Sequence, residues 1–123
     1  MPAGALADTD VLIETLHGDA SVLGRIDAAA AGEPRFLSVL TAAELRAGRS
    51  GQDPAVGELI ASFRPLPLDL GTAEHGGGIR RRYGPTHGTD LIDAILAATA
   101  LALDLTLVTN NRRHYPMADL RLG

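Results

Sequence analysis

Five short apolar runs constrain this chain more than anything else in it: GALA (4–7), FLSVL (36–40), PLPLD (65–69), TLVT (106–109) and, weakest, LRL (120–122). Each is too short for a buried helix, and FLSVL and TLVT carry the β-branched residues of buried strands. Between them the spacing predicts helices at about 9–17, 19–31, 41–49, 53–64, 70–83 and 89–104. Such alternation predicts an α/β fold: a three-layer sandwich whose mainly parallel sheet of four to five strands carries helices on both faces. The chain has 123 residues, 46% of them hydrophobic, with no fixed repeat and no Pro/Gly/Ser-rich linker, so it reads as one domain over 1–123. The middle is the least regular part. Pro65 and Pro67 interrupt it, and the successive glycines of EHGGGI (74–79) each weaken a helix by roughly 1 kcal/mol, so Gly76 to Gly78 read as a flexible turn.

Composition removes several chemistries. There is no Cys, hence no disulfide, thiolate zinc site or thiol nucleophile. All 11 basic residues are Arg, so there is no P-loop lysine and no Schiff base. No apolar stretch approaches the roughly 18–20 residues of a membrane span, and the opening MPAGALADTD lacks a signal peptide's basic start and apolar middle. A cytoplasmic protein with no membrane contact is expected. The formal net charge of −4 announces no nucleic-acid binder, so any such binding has to be local.

In an open parallel sheet, ligands bind beyond the carboxyl ends of the strands, where the chain order reverses. Three acids far apart in sequence are predicted at that edge. Asp8 follows the first strand, Glu44 the second, and Asp93 stands in the first turn of the last long helix, alone in the apolar run LIDAILAATA (91–100). Each also has a plain structural explanation. Thr41 to Glu44 fits the capping box T-x-x-E, Asp90 and Asp93 fit a helix start, and Asp8 or Asp10 fits an N-cap. Independent caps do not explain why three acids converge. A hard divalent cation does: Mg²⁺ prefers oxygen ligands and keeps several waters, so a few carboxylates on separate elements make a suitable partial shell. Without such an ion, clustered carboxylates repel and raise one another's pKa values.

The blocks ADTDVLIE, S-x-L-T-A-A-E-L with a following Gly, LIDAILAATAL and LTLVTNNRRHYP, in this order from Asp8 to about Tyr115, resemble a PIN-domain ribonuclease of the VapC toxin group, from bacterial VapBC toxin–antitoxin systems. The resemblance implies a PIN-like sandwich and an Mg²⁺-dependent endoribonuclease, with Mn²⁺ as substitute ion, hydrolysing RNA phosphodiester bonds. It implies metal ligands at Asp8, Asp93 and Glu44, with Glu44 binding directly or through water. The fourth polar catalytic position falls at Asn111, with Thr109 beside it to orient water or phosphate, and His114 stands where Asp is common in the family. It further implies a homodimer, neutralised by a VapB-type antitoxin through which alone promoter DNA is contacted.

Local positive charge for an RNA backbone is available at Arg46 and Arg49, at Arg80 to Arg82, and at Arg112 and Arg113. The same arginines also suit solvated faces with ordinary ion pairs. With two Phe, two Tyr and no Trp, base stacking is not the expected route to specificity. His17, His75, His87 and His114 lack zinc-ligand spacing, although paired action of His87 and His114 would offer metal-independent cleavage. Two further alternatives stand. One is a non-catalytic interaction module whose acids are only caps; the other is a haloacid-dehalogenase-like phosphatase, in which DTDVL would supply Asp8 and Asp10 as nucleophile and acid.

Overall fold

The computed structural model describes residues 3–123; Met1 and Pro2 of the opening stretch lie outside them. The elements follow in the order β1 (Ala5–Ala7), α1 (Thr9–Leu16), α2 (Ser21–Ala30), β2 (Arg35–Ser38), α3 (Val39–Ala47), α4 (Pro54–Ala61), β3 (Arg64–Leu66), α5 (Leu70–His87), α6 (Leu91–Leu103) and β4 (Thr106–Val108). The strands form one parallel sheet in the order β3-β2-β1-β4, with Leu6 opposite both Phe36 and Leu107. The weak LRL run adds only an isolated parallel bridge, Leu107 to Leu122. The expected α/β sandwich is therefore present.

Alternation along the strands divides the core in two. Ala5, Ala7, Leu37 and Val108 face α1 to α4, meeting Val11, Leu12, Ile26, Leu45 and Val56. Leu6 and Leu107 point the other way, towards Ile79 of α5 and the Ala-rich α6. Helix α6 is buried from Asp93 through Ala100, which is why its sequence is apolar all round. Fully burying a side chain such as Leu96 contributes about 1.5–3 kcal/mol.

The chain steps outward from β1 to β2 to β3 and then returns through α5 and α6 to place β4 on the other side of β1. The order thus reverses between β1 and β4, and the carboxyl ends of these two strands carry Asp8 and Thr109.

Three local expectations are corrected. The strand FLSVL ends at Ser38, whose hydroxyl accepts the Leu40 amide and starts α3 at Val39, two residues early. Thr41 is consequently no cap. It lies inside α3, fully buried, and Glu44 falls in the second turn, so the Thr41–Glu44 capping box does not form. Lastly, Gly76 to Gly78 are not a turn but the middle of α5, which runs on past Tyr83 to His87. A Cβ on Gly76 would sit 2.7 Å from Ile95 Cγ1 and 3.0 Å from Ile95 Cα, so the glycine is what lets α5 lie against α6. At Gly77 and Gly78 a Cβ would meet nothing within 4 Å. The long α5 ends at Gly88, whose left-handed φ of +69° suits a residue without Cβ.

Candidate active site

Asp8 leaves β1 as the N-cap of α1. Its Oδ1 accepts the Thr9 amide at 2.8 Å, while its own amide donates to the Val108 carbonyl at 2.9 Å and fastens it to β4. Its Oδ2 accepts the Thr109 hydroxyl at 2.8 Å and the Tyr115 hydroxyl at 2.9 Å. Asp93 arrives from the opposite layer. Asp90 caps α6 by accepting the Asp93 amide at 2.8 Å, and Asp93 Oδ2 accepts the Asp90 amide at 3.3 Å, completing a capping box. The same Oδ2 lies 2.9 Å from His114 Nδ1, and Oδ1 accepts the Tyr115 hydroxyl at 3.0 Å. Both plain explanations, the N-cap and the capping box, are therefore correct for Asp8 and Asp93. They hold the backbone while the carboxylates converge on one phenol.

That convergence is electrostatically costly. Asp93 is held above the ordinary carboxylate range, first by burial and then by the charges of Asp90 and Asp8. Burial and the charges of Asp8 and Asp93 push the Tyr115 phenol far up, so it remains a neutral donor. A phenol carries a single proton, so its bonds to Asp8 and Asp93 share it.

Glu44 stands apart from this pair. It is exposed on α3, and its Oε1 accepts the Thr9 hydroxyl at 2.5 Å, which links it to the residue following Asp8. Among the described residues no group of three His, Asp or Glu side chains is already arranged to hold a metal ion. The three acids predicted as equivalent are thus a buried pair and an outer third.

Other predicted residues are distributed unevenly. Thr109 is fully buried, and its hydroxyl also accepts the Asn111 amide at 3.0 Å, so it braces Asp8 from behind. Asn111 itself is exposed at the start of the 3-10 turn Arg112–His114, where Arg112 and Arg113 are also exposed. The Arg46 guanidinium turns back to the Gly51 carbonyl at 3.0 Å. His87 does not pair with His114: its Nδ1 meets the Thr86 hydroxyl at 2.7 Å and its ring sits edge-on to Tyr83.

Sequence reasoning missed Tyr115 as a site residue, and it missed a network around Asn110. Asp10 Oδ2 accepts the Asn110 amide at 2.9 Å, Glu14 accepts the Asn110 side-chain amide at 2.7 Å, and Arg25 donates to Asn110 Oδ1 and to the Thr109 carbonyl, each at 2.5 Å. These contacts pin the segment after β4 to α1 and α2. Asp10, with both oxygens taken by the Val11 and Asn110 amides, is raised in pKa by burial and then by Asp8. None of these partners lies near Asn110 in sequence, so no local spacing could reveal them.

A parallel α/β domain with a bridged carboxylate pair at its switch point defines a class, and similarity to known proteins gives that class a name. The chain matches the PIN domain over residues 5–120. It is 39% identical over 116 residues to ribonuclease VapC10 of Mycobacterium tuberculosis strain H37Rv, covering 93% of this chain and 87% of that protein. It is 36% identical to ribonuclease VapC19 of the same strain, covering 91% and 92%. The fold is shared with a chain of the DNA-bound VapBC structure from Salmonella typhimurium, at a TM-score of 0.77, 23% identity, and coverage of 100% of this chain and 98% of that one. The chain belongs to the PIN-domain family and, within it, to the VapC group.

Proposed function

We propose that this protein is a metal-dependent endoribonuclease of the VapC type, hydrolysing RNA phosphodiester bonds and neutralised by a VapB-type antitoxin. The observation that carries the reading is the Asp8 and Asp93 pair, drawn together by Tyr115 at the reversal point of the sheet. Asp8, Asp93 and Glu44 offer carboxylate oxygens, which suits Mg²⁺, with Mn²⁺ substituting. The pKa of Asp93 is raised first by burial and then by the charges of Asp90 and Asp8, and a divalent cation would favour its charged form. Two relatives are named as ribonucleases, and several solved complexes of the same fold are toxin–antitoxin pairs.

In this reading Asp8 and Asp93 hold the cation, and Glu44, held by Thr9, reaches it directly or through water. When bound, the cation supplies the positive charge that activates water for in-line attack and stabilises charge on the phosphoryl and leaving oxygens. Thr109 keeps Asp8 aimed. Asn111 orients water or phosphate from the exposed segment after β4, and Arg112 and Arg113 meet the RNA backbone there. Arg46, tied to Gly51, supports the loop after α3. A groove between α1, α3 and α4, lined by Ile13, Leu16, Leu45 and Val56 together with Glu44, is the face we assign to the antitoxin. An occupant of that groove would cover the outer acid. Homodimerisation is part of the same proposal.

The test is cleavage of a mixed cellular RNA pool by purified, antitoxin-free protein with Mg²⁺ and with EDTA, beside Asp8→Asn and Asp93→Asn. Activity that needs Mg²⁺ and both carboxylates supports the reading. Cleavage indifferent to EDTA and to both substitutions rejects it.

A further inference from the structure

Tyr115 is the one side chain among the described residues that bonds to both Asp8 and Asp93, and its hydroxyl is not required for packing. Its ring is 3% exposed in the core beneath α6 and β4, beside Leu107, Met117 and Leu120, where a phenylalanine ring would fill the same space. Only the oxygen enters the polar site.

We infer that Tyr115 is a positioning residue for the cation, setting the gap between the two carboxylates; this rests on the reading of Asp8 and Asp93 as its ligands. Asp8 accepts three hydrogen bonds, from the Thr9 amide and the Thr109 and Tyr115 hydroxyls. Asp93 accepts from the Asp90 amide and Tyr115, and from His114 when Nδ1 carries the proton. A carboxylate offers about four acceptor positions, so with the one Tyr115 proton shared between them each acid retains at least one. The two remaining positions belong to carboxylates that Tyr115 fastens to a common point. That favours a cation taking a single oxygen contact from each acid and keeping its waters, the habit of Mg²⁺. Without the hydroxyl, two like charges in a partly desolvated gap would turn apart, and each binding event would have to bring them back.

Loss of a supporting hydrogen bond to a metal ligand typically costs about 10–100-fold in affinity. Titration calorimetry with MnCl₂ on the wild type, Tyr115→Phe, Thr109→Val and Asp93→Asn tests the inference, with the metal-free melting temperature of each recorded alongside. Tyr115→Phe is expected to fold and to weaken Mn²⁺ binding by about tenfold or more. Thr109→Val, which frees one carboxylate without unlinking the pair, is expected to weaken it less, and Asp93→Asn to abolish it. Wild-type affinity in Tyr115→Phe, even with a lowered metal-free melting temperature, would mean that the phenol only packs, and would overturn the inference while leaving the metal reading intact. Equal losses in Tyr115→Phe and Thr109→Val would also overturn it, because linkage would then add nothing. A wild type that binds no Mn²⁺ would overturn both readings.

Discussion

Asp93 and Glu44 are both acids on helices at the same edge of the sheet, yet the fold treats them in opposite ways. Asp93 is 8% exposed, bound into a capping box, bridged to Asp8 and raised in pKa by its surroundings. Glu44 is exposed, caps nothing, and is held by one hydroxyl. The inner pair is thus built into both layers of the core and cannot move without disturbing them. The outer acid rests on a single surface contact and is free to change partner. A rigid pair suits a permanent ligand set, and a loosely held acid in the lining of a groove suits a group that adjusts when substrate or partner arrives.

The contrast is broken most easily at its strong side. Asp8→Asn or Asp93→Asn should reduce RNA cleavage beyond the roughly 100-fold that loss of a mere supporting partner costs, with the fold retained by circular dichroism. Glu44→Gln should cost roughly tenfold, since the amide still accepts the Thr9 hydroxyl but lacks the charge. If Glu44→Gln proved as damaging as Asp93→Asn, the distinction between inner and outer acids would fail.

A smaller effect sharpens the boundary of the inner group. Asp10→Ala removes an acceptor for the Asn110 amide and should destabilise the protein by about 1 kcal/mol in denaturant melts, lowering activity less than Glu44→Gln does. The smallest expected effect is on pH dependence. Asp93 has a folded-state pKa above the ordinary 3.8, so between these values the folded chain binds more protons than the unfolded one, and stability falls as pH rises through that window. Metal-free Asp93→Asn should therefore melt a few degrees above the wild type at neutral pH, with the difference shrinking as the pH is lowered into the window. A constant difference across the range would remove the carboxylate charge as its cause.

The alternation of short apolar runs and helices made the sheet, its two helical faces and the site's edge legible, because period and length are local properties. So were the caps at Asp8 and Asp90, which depend on residues one to three positions away. Boundaries failed where one polar residue outcompeted another: Ser38 took the cap that Thr41 was expected to provide. The triple glycine misled because its explanation, the close approach of Ile95, lies on another helix. Tyr115 and the clamp around Asn110 were invisible for the same reason, since Tyr115 reaches Asp8 across 107 positions and Arg25 reaches Asn110 across 85. What sequence could show was that Asp93, the lone charge in an apolar run, fitted both a helix start and a cation site.

Whether Asp8 and Asp93 form a cation site is read most directly from thermal melting during a Mg²⁺ titration of the wild type, Asp93→Asn and Glu44→Gln. A ligand that binds only the folded state stabilises it by RT ln(1 + [L]/Kd), so the melting temperature must climb with concentration if the site is real. A cation site at Asp8 and Asp93 predicts a rise in the wild type, a reduced rise in Glu44→Gln and none in Asp93→Asn. An equal rise in all three, or no rise in the wild type at millimolar Mg²⁺, would contradict it.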